Sequence, residues 1–410
     1  MRTIRRTSFF NAVFHMVFLT GHAALNAQEY ADGYWLGENR GPFLTGTTET
    51  MWEDTSRGEL GTSNPDDSRR MMVQMWYPAR HEPGKEVAIY ASTNDLYQEW
   101  MHIALADNPT LSQRNADLPD GTDTFPVLIY NHGAGAQVFS ATYQTEFMAS
   151  NGYVVVSIGH AGYDGLARFP DGSEFKVDVQ STGLTREDRE RMNAYEVTEW
   201  RRESAEVQES FNTLVLDVSF ALDQLERLNS DPQSRFYQRL DFTRVGAFGW
   251  SIGGATSLQA SRDDERIKAV VNMDGELMGR SVERLGSPSP LLLIQSQQSG
   301  GMVRGPVVPG AQQSMAEMNR GLWQMLGKTD ADWFRAVIED TDHISFIDAY
   351  RIVEPPETVP DIEHAQSIVN QLVLEFFDKY LMGKASAPLL SGEAGVNGLV
   401  LSRKPEEGSP

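Results

Sequence analysis

The chain has 410 residues, 35 Lys and Arg against 57 Asp and Glu, a formal net charge of −22, and no cysteine. Without a thiol, a disulfide framework, a cysteine zinc site, an iron–sulfur cluster and a cysteine nucleophile are all excluded. The negative charge argues against nucleic-acid binding and against docking to anionic lipid through a basic patch. Hydrophobic residues make up 40 % of the chain, which is enough for a large packed core.

Residues 1–27 have the order of a secretory signal peptide. Three arginines come first, the apolar run 9–19 follows, and small residues end at Ala27. The apolar run is shorter than the roughly 20 residues that a transmembrane helix needs. We therefore expect cleavage after Ala27 and export to the periplasm or the medium, with an uncleaved anchor as the alternative.

Residues 28–68 are rich in Gly, Thr, Asp and Glu and are expected to form an N-terminal extension that is mostly loop. Apolar runs that predict strands follow at 71–77, 125–130, 153–158, 244–250, 267–273, 290–295 and 334–338. Helical periodicity occurs at 93–106, 143–151, 214–225 and 363–382. Strands that alternate with helices predict an α/β domain over 69–383, with a mostly parallel sheet and helices on both faces. Residues 384–410 are expected to be a mobile tail.

In such a sheet, chemistry gathers at the carboxyl ends of the strands. The run Gly249-Trp250-Ser251-Ile252-Gly253 fits the pattern G-x-S-x-G and lies between an apolar strand and a small-residue helix start. In a nucleophile elbow the serine occupies a strained turn, so its neighbours must lack bulk. Ser251 is the predicted nucleophile; the alternative is a serine that only caps the helix.

A serine needs a general base, and the base in turn needs an orienting acid. In the chain order serine, acid, histidine, His343 follows the last strand and is the predicted base, with His364 as the alternative. Asp274 directly ends the strand after the nucleophile helix, whereas the segment after the next strand, 295–299, has no carboxylate. Asp274 is therefore the predicted acid. The fallback carboxylates are Asp330, Asp340 and Asp342, of which Asp342 is expected to shape the loop.

An oxyanion hole requires backbone N–H groups directed at the developing negative charge. One should come from Ile252, the residue after the nucleophile, and the other from the loop after an earlier strand. The loop His132-Gly133-Ala134-Gly135 can supply it, and we choose the Ala134 N–H. His132 is expected to stabilise this loop rather than to take part in catalysis.

Together these motifs resemble the platelet-activating-factor acetylhydrolase family of secreted-type α/β hydrolases, related to dienelactone-hydrolase-like and polyester-hydrolase-like enzymes. The resemblance extends over about 41–381 and includes Met75-Trp76-Tyr77-Pro78 and 149–153. It implies an α/β-hydrolase fold and a calcium-independent serine esterase for short or oxidised acyl groups of phospholipids, with no metal or cofactor. Trp250 replaces a histidine that is usual in the family, and Ala134 replaces a larger apolar residue. By the same resemblance, Trp250 and His160 are expected to bind substrate.

Two segments are lid-like in sequence, residues 161–210 and the helix 93–106. Trp100, Met101 and Leu105 of that helix suit core packing, a lid or weak contact with a neutral or zwitterionic lipid surface. A polyester hydrolase or another carboxylesterase of the same fold is the alternative function. A non-catalytic binder on this scaffold and a metal-dependent hydrolase are alternatives of other classes. Acyl length, alcohol group and oligomeric state are left open.

Overall fold

A computed structural model describes residues 41–405 except 61, 63, 65, 91–108, 165, 177–199, 201–202, 300–310 and 354–358. Its strands are β1 Leu44–Asp54, β2 Arg69–Ala79, β3 Val87–Ile89, β4 Pro109–Arg114, β5 Phe125–Asn131, β6 Val154–Ile158, β7 Leu166–Arg168, β8 Glu174–Lys176, β9 Leu240–Trp250, β10 Ile267–Met273, β11 Leu291–Ser296, β12 Trp333–Ile338 and β13 Leu399–Arg403. Its α-helices are α1 Thr142–Ser150, α2 Ala205–Ser230, α3 Ile252–Asp263, α4 Arg280–Leu285, α5 Ala311–Leu326, α6 Ala349–Val353, α7 Val359–Leu381 and α8 Pro388–Ser391. None of these helices is long and apolar enough to cross a membrane.

Eleven of the described strands form one sheet, in the order β13-β12-β11-β10-β9-β5-β6-β2-β1-β4-β3. From β12 to β6 the neighbouring strands are parallel. The strands β2 and β13 then join antiparallel at the two sides of this parallel core. The predicted mostly parallel sheet is confirmed, and each of its central strands matches an apolar run of the sequence.

Helices cover both faces of the sheet, as predicted. On one face, α1 and α7 pack against the strands through Phe147, Phe376 and Phe377. On the other face, α2 and α3 pack through side chains such as Leu222 and Ala255. The parallel strands are apolar on both sides because each of their faces lies beneath a helix.

Two boundaries differ from the prediction. The extension 28–68 contains β1, which pairs with β2 over eleven residues from Leu44↔Ala79 to Asp54↔Arg69. The expected mobile tail 384–410 contains α8 and β13, and β13 pairs with β12 at the edge of the sheet. Both segments gain their structure from a partner strand, which their own composition does not reveal.

Three other predictions lie wholly or partly outside the described residues: the signal peptide 1–27, the helix 93–106 and part of the segment 161–210. In the described part of 161–210, β7 and β8 form a hairpin around the turn Pro170-Asp171-Gly172-Ser173.

Candidate active site

Ser251 lies in a sharp turn between β9 and α3. Its backbone has φ 58° and ψ −129°, in the positive-φ region that residues other than glycine rarely adopt. The turn is tightly packed, because a Cβ on Gly253 would lie 2.0 Å from the Asn131 carbonyl oxygen. The Ser251 N–H donates to the Met273 carbonyl at 2.9 Å and anchors the turn to β10. The strand, turn and helix predicted for the G-x-S-x-G motif are therefore present.

His343 begins a short 3₁₀ helix, His343–Phe346, after β12. Its Nε2 lies 3.0 Å from Ser251 Oγ, and its Nδ1 lies 2.8 Å from Asp274 Oδ2. A neutral imidazole with its proton on Nδ1 donates to Asp274 and accepts the Ser251 hydroxyl proton at Nε2. The structure therefore brings the predicted nucleophile, base and acid into one hydrogen-bonded chain.

The Asp274 carboxylate is fully buried and receives several hydrogen bonds. Oδ1 accepts the Ser296 N–H at 2.9 Å, and Oδ2 accepts the hydroxyls of Ser296 at 3.0 Å and Ser299 at 2.9 Å. These donors restrict the rotation of the carboxylate and keep Oδ2 directed at His343. Sequence reasoning treated 295–299 only as a segment without a carboxylate and missed these two serines.

The loop that carries His343 is held by Asp342, as predicted for that residue. The Asp342 carboxylate accepts the N–H groups of Ile344 and Ser345 at 3.1 and 3.2 Å and so caps the 3₁₀ helix. Asp342 does not compete with Asp274 for the imidazole. The other downstream histidine, His364, lies on α7 with its Nε2 3.3 Å from the Asn397 carbonyl, apart from the serine.

Charges around His343 favour its protonated form. Burial disfavours the imidazolium, but the hydrogen bond to Asp274 and the negative charges of Asp274, Glu276 and Asp342 outweigh burial and raise the pKa of His343 above its ordinary 6.5. The side chain nevertheless keeps 44 % of its surface exposed. A small molecule can therefore reach the imidazole beside Ser251.

Trp250 is buried, in contrast to its predicted role in binding substrate. Only 2 % of its surface is exposed, so it offers little surface to a substrate. Its indole N–H donates to the His343 carbonyl at 2.6 Å, and the two rings lie 4.8 Å apart. Trp250 therefore contacts His343 through its indole N–H and its ring.

The structure also disagrees with the prediction that His160 binds substrate. Its side chain is fully buried, Nδ1 lies 3.0 Å from Asp217 Oδ2, and Nε2 lies 3.1 Å from the Asn131 side-chain amide. Both ring nitrogens therefore already face protein groups. The resemblance suggested a substrate-binding residue, but the His160 side chain has no exposed surface.

The loop 132–135 lies directly against the turn that contains Ser251. A Cβ on Gly133 would lie 3.1 Å from Ser251 Cβ and 2.3 Å from the Trp250 ring. Among the described residues, the N–H groups of Ala134 and Ile252 donate to no protein acceptor. Both are available for a ligand, and the Ile252 N–H also begins α3, where the helix dipole favours negative charge.

The sheet with its helices, the nucleophile turn and the order of the three polar residues define an α/β-hydrolase fold. A solved structure described as a ferulic acid esterase from Streptomyces cinnamoneus is similar, with a TM-score of 0.68 over 90 % of this chain and 99 % of that chain, at 23 % identity. This likeness supports the fold.

The sequence profile of the family described as platelet-activating factor acetylhydrolase, isoform II, matches residues 31–302. The chain belongs to this family. Curated relatives include the platelet-activating factor acetylhydrolases of Canis lupus familiaris, 23 % identical over 64 % of this chain and 60 % of that protein, and of Gallus gallus, 23 % identical over 65 % and 66 %. The aligned part thus spans about 60 % of the first of these relatives. The profile match ends before His343 and does not bear on that residue.

Proposed function

We propose that the protein is a serine carboxylic-ester hydrolase that uses Ser251, His343 and Asp274. The observation that carries the proposal is the pair of contacts through the imidazole, 3.0 Å from Nε2 to Ser251 Oγ and 2.8 Å from Nδ1 to Asp274 Oδ2. This arrangement meets the geometric requirement for a nucleophile with an adjacent, oriented base.

In the proposed reaction, Ser251 Oγ attacks the ester carbonyl carbon while His343 Nε2 takes the hydroxyl proton. The oxygen of the tetrahedral intermediate becomes negative and accepts hydrogen bonds from the N–H groups of Ala134 and Ile252. The intermediate expels the alcohol, which receives its proton from His343, and leaves an acyl-enzyme. Water then attacks the acyl carbon, with His343 again as base, and releases the acid and free Ser251.

For the substrate, we propose esters with short or oxidised acyl chains, including those of phospholipids. The family description and the curated relatives name an acetylhydrolase, which supports short acyl groups. The net charge of −22 favours substrates and lipid surfaces that are neutral or zwitterionic over anionic ones. A simple carboxylesterase is the second candidate, favoured by the structural likeness to a ferulic acid esterase.

The first test measures turnover of p-nitrophenyl acetate by the wild-type protein and by Ser251→Ala. We expect a loss of about 10⁶-fold in kcat, as for other serine hydrolases without the nucleophile. Ser230→Ala is the matched control, because Ser230 is an exposed serine that only donates to the Glu226 carbonyl. Equal turnover by the wild type and Ser251→Ala contradicts the proposal.

A fluorophosphonate probe separates an enzyme from a non-catalytic binder. It labels only a serine that a base activates, so we expect label on Ser251 of the folded wild type and none on Ser251→Ala. Folded wild type without label favours the binder. A panel of esters with graded acyl length, with and without a phosphocholine head group, then distinguishes the two substrate classes.

We also propose export after cleavage behind Ala27, on the basis of the signal-like order of residues 1–27. Mass spectrometry of the protein recovered outside the cytoplasm is expected to give a chain that begins at Gln28. A chain that retains residues 1–27 contradicts cleavage.

A further inference from the structure

A buried network of charged side chains lies behind the loop 132–135, on the side away from Ser251. The side chains of His132, His160, Asp217 and Arg69 have no exposed surface, and that of Asp164 keeps 4 %. The reaction proposed above uses none of them. Buried ion pairs are weak evidence for stability, since apolar residues often replace them without loss.

His132 connects this network to the loop. Its Nδ1 lies 2.8 Å from the Gly133 carbonyl oxygen, and its Nε2 lies 2.5 Å from Asp164 Oδ1. A carbonyl oxygen can only accept, so Nδ1 carries a proton. The close approach of Nε2 to Oδ1 pairs the imidazole with the Asp164 carboxylate. Burial disfavours the imidazolium, but Asp164 outweighs burial and raises the pKa of His132.

Asp164 in turn belongs to a fixed turn after β6. Its Oδ1 accepts the His160 N–H at 3.0 Å, and its own N–H donates to the His160 carbonyl at 2.9 Å. In the same turn, the Tyr163 carbonyl accepts the Gly135 N–H at 2.7 Å. The turn therefore holds the loop on both sides of Ala134, through His132 before it and Gly135 after it.

The rest of the network immobilises this turn. His160 contacts Asp217 of α2, and Asp217 pairs with Arg69 of β2 at 2.6 Å. On the other side, the loop packs against the turn that contains Ser251, because a Cβ on Gly133 would lie 2.3 Å from the Trp250 ring and 3.1 Å from Ser251 Cβ. The His132–Asp164 pair therefore links the turn after β6 to the loop that carries Ala134.

We propose that His132 and Asp164 are positioning residues for the oxyanion site, and that their pairing holds the Ala134 N–H toward the reacting ester oxygen. This inference rests on the proposed esterase function. Loss of an oxyanion donor typically reduces kcat by about 10²–10³-fold. Displacement of the donor should reduce kcat by part of that factor, about 10- to 100-fold. It should change KM by less than about threefold, because ground-state binding of the substrate does not use this hydrogen bond.

Two conservative variants separate the contacts of His132. The amide of His132→Gln reaches the position of Nε2 and keeps a hydrogen bond to Asp164. The shorter amide of His132→Asn reaches the position of Nδ1, keeps the bond to the Gly133 carbonyl and loses Asp164. Per titrated active site, we expect kcat within about fivefold of wild type for His132→Gln and 10- to 100-fold lower for His132→Asn.

A transition-state analogue supplies a second readout. A trifluoromethyl ketone adds to Ser251 and carries an oxyanion, so its Ki should rise in His132→Asn by the factor by which kcat/KM falls. Asp378→Asn is the control for lost stability, because Asp378 is a buried carboxylate that accepts the Tyr153 hydroxyl apart from the active site. We expect a lower Tm and unchanged kcat for this control.

Equal kcat in both His132 variants, whether unchanged or reduced, overturns the proposal, as does an unchanged inhibitor Ki in His132→Asn. If His132→Asn does not fold, Asp164→Asn tests the same contact, and an unchanged kcat and Ki there overturn it. A wild-type protein without esterase activity or probe labelling contradicts the proposed function itself. A fully active wild type, together with His132 and Asp164 variants whose kcat and Ki are unchanged, contradicts only this inference.

Discussion

The indole N–H of Trp250 donates to the backbone carbonyl of His343 at 2.6 Å, and the rings of the two residues lie 4.8 Å apart at 37°. Trp250, the residue before Ser251, therefore contacts His343 through both its indole N–H and its ring. The hydrogen bond fixes the backbone of His343, and the indole face lies beside the imidazole, where it favours the charged form that the proposed reaction requires.

We therefore expect Trp250→Phe to lower kcat/KM about 2- to 10-fold, the effect of one lost hydrogen bond with the aromatic face retained. Trp250→Leu should lower it further, because the aromatic face is lost as well. Steady-state kinetics on a short p-nitrophenyl ester measure both variants. Trp323→Phe is the control, since Trp323 is 44 % exposed and lies on α5. Equal activity of Trp250→Phe, Trp250→Leu and wild type contradicts a role in holding His343.

Asp274 is expected to act by orientation and charge. In Asp274→Asn the amide cannot both keep the donors Ser296 and Ser299 and accept from His343 Nδ1, so the imidazole loses its required tautomer. We expect a fall of about 10⁴-fold in kcat, with the fold retained in circular dichroism. Asp330→Asn, at an exposed position after α5, should leave kcat unchanged. A fall in Asp330→Asn instead of Asp274→Asn would reverse the assignment of the acid.

The pH dependence of kcat/KM should report the charges around His343. Only the neutral imidazole accepts the serine proton, so activity rises with pH through the pKa of His343, which lies above 6.5. Glu276 contributes to this raised pKa through its negative charge. Glu276→Gln removes that charge, so the acid limb should move to lower pH by a few tenths of a unit.

The control for this shift is Glu265→Gln, at an exposed position before β10, which should leave the limb in place. The pH profiles are measured at one ionic strength, because salt screens charge–charge effects. A limb that moves to higher pH in Glu276→Gln contradicts the sign of the argument.

Asp348 provides a prediction on stability. This buried carboxyl accepts the Tyr90 hydroxyl at 3.1 Å and the Tyr143 N–H at 3.3 Å. Burial raises the pKa of Asp348 to about 7, although the charge of Arg351 and these hydrogen bonds oppose the rise. Between pH 3.8 and 7 the unfolded chain loses this proton and the folded chain keeps it, so Asp348 lowers stability as pH rises through that window.

Asp348→Asn keeps an oxygen acceptor and cannot ionise. We expect it to raise the free energy of unfolding at pH 8 by about 1–4 kcal/mol relative to wild type, and by less at pH 5. Urea unfolding at the two pH values measures this difference. Asp120→Asn, at a carboxylate that is 89 % exposed, should have a small effect at both. A gain that is larger at pH 5 than at pH 8 contradicts the raised pKa.

Local sequence patterns predicted the parallel core and the three polar residues of the site. The reason is that buried strands such as β5 and β10 are continuous apolar runs, and that a nucleophile elbow has strict local requirements around Ser251. Asp274 and His343 could then be selected by their position after strand ends. Each of these inferences needs only a short window of sequence and the order of elements.

The features that could not be predicted from the sequence depend on contacts between segments that are distant in the chain. The strand β1 is rich in Thr and becomes a strand through its pairing with β2, where the Thr47 hydroxyl donates to the Met75 carbonyl. Ser296 and Ser299 act on Asp274 from the end of another strand. The family resemblance predicted that His160 binds substrate, whereas α2 places Asp217 beside it and buries its side chain.

The pairing of β13 with β12 also bears on how the protein behaves when its C-terminus is altered. From Phe334↔Arg403 to Ile338↔Leu399, β13 occupies the backbone groups along the outer side of β12. A chain that stops before residue 399 would leave an apolar strand with a free row of N–H and C=O groups. Such a row on a strand that is otherwise buried invites strand addition from a second molecule, so truncated protein should self-associate through this side more than the full-length chain, whose edge strand β13 is partly exposed.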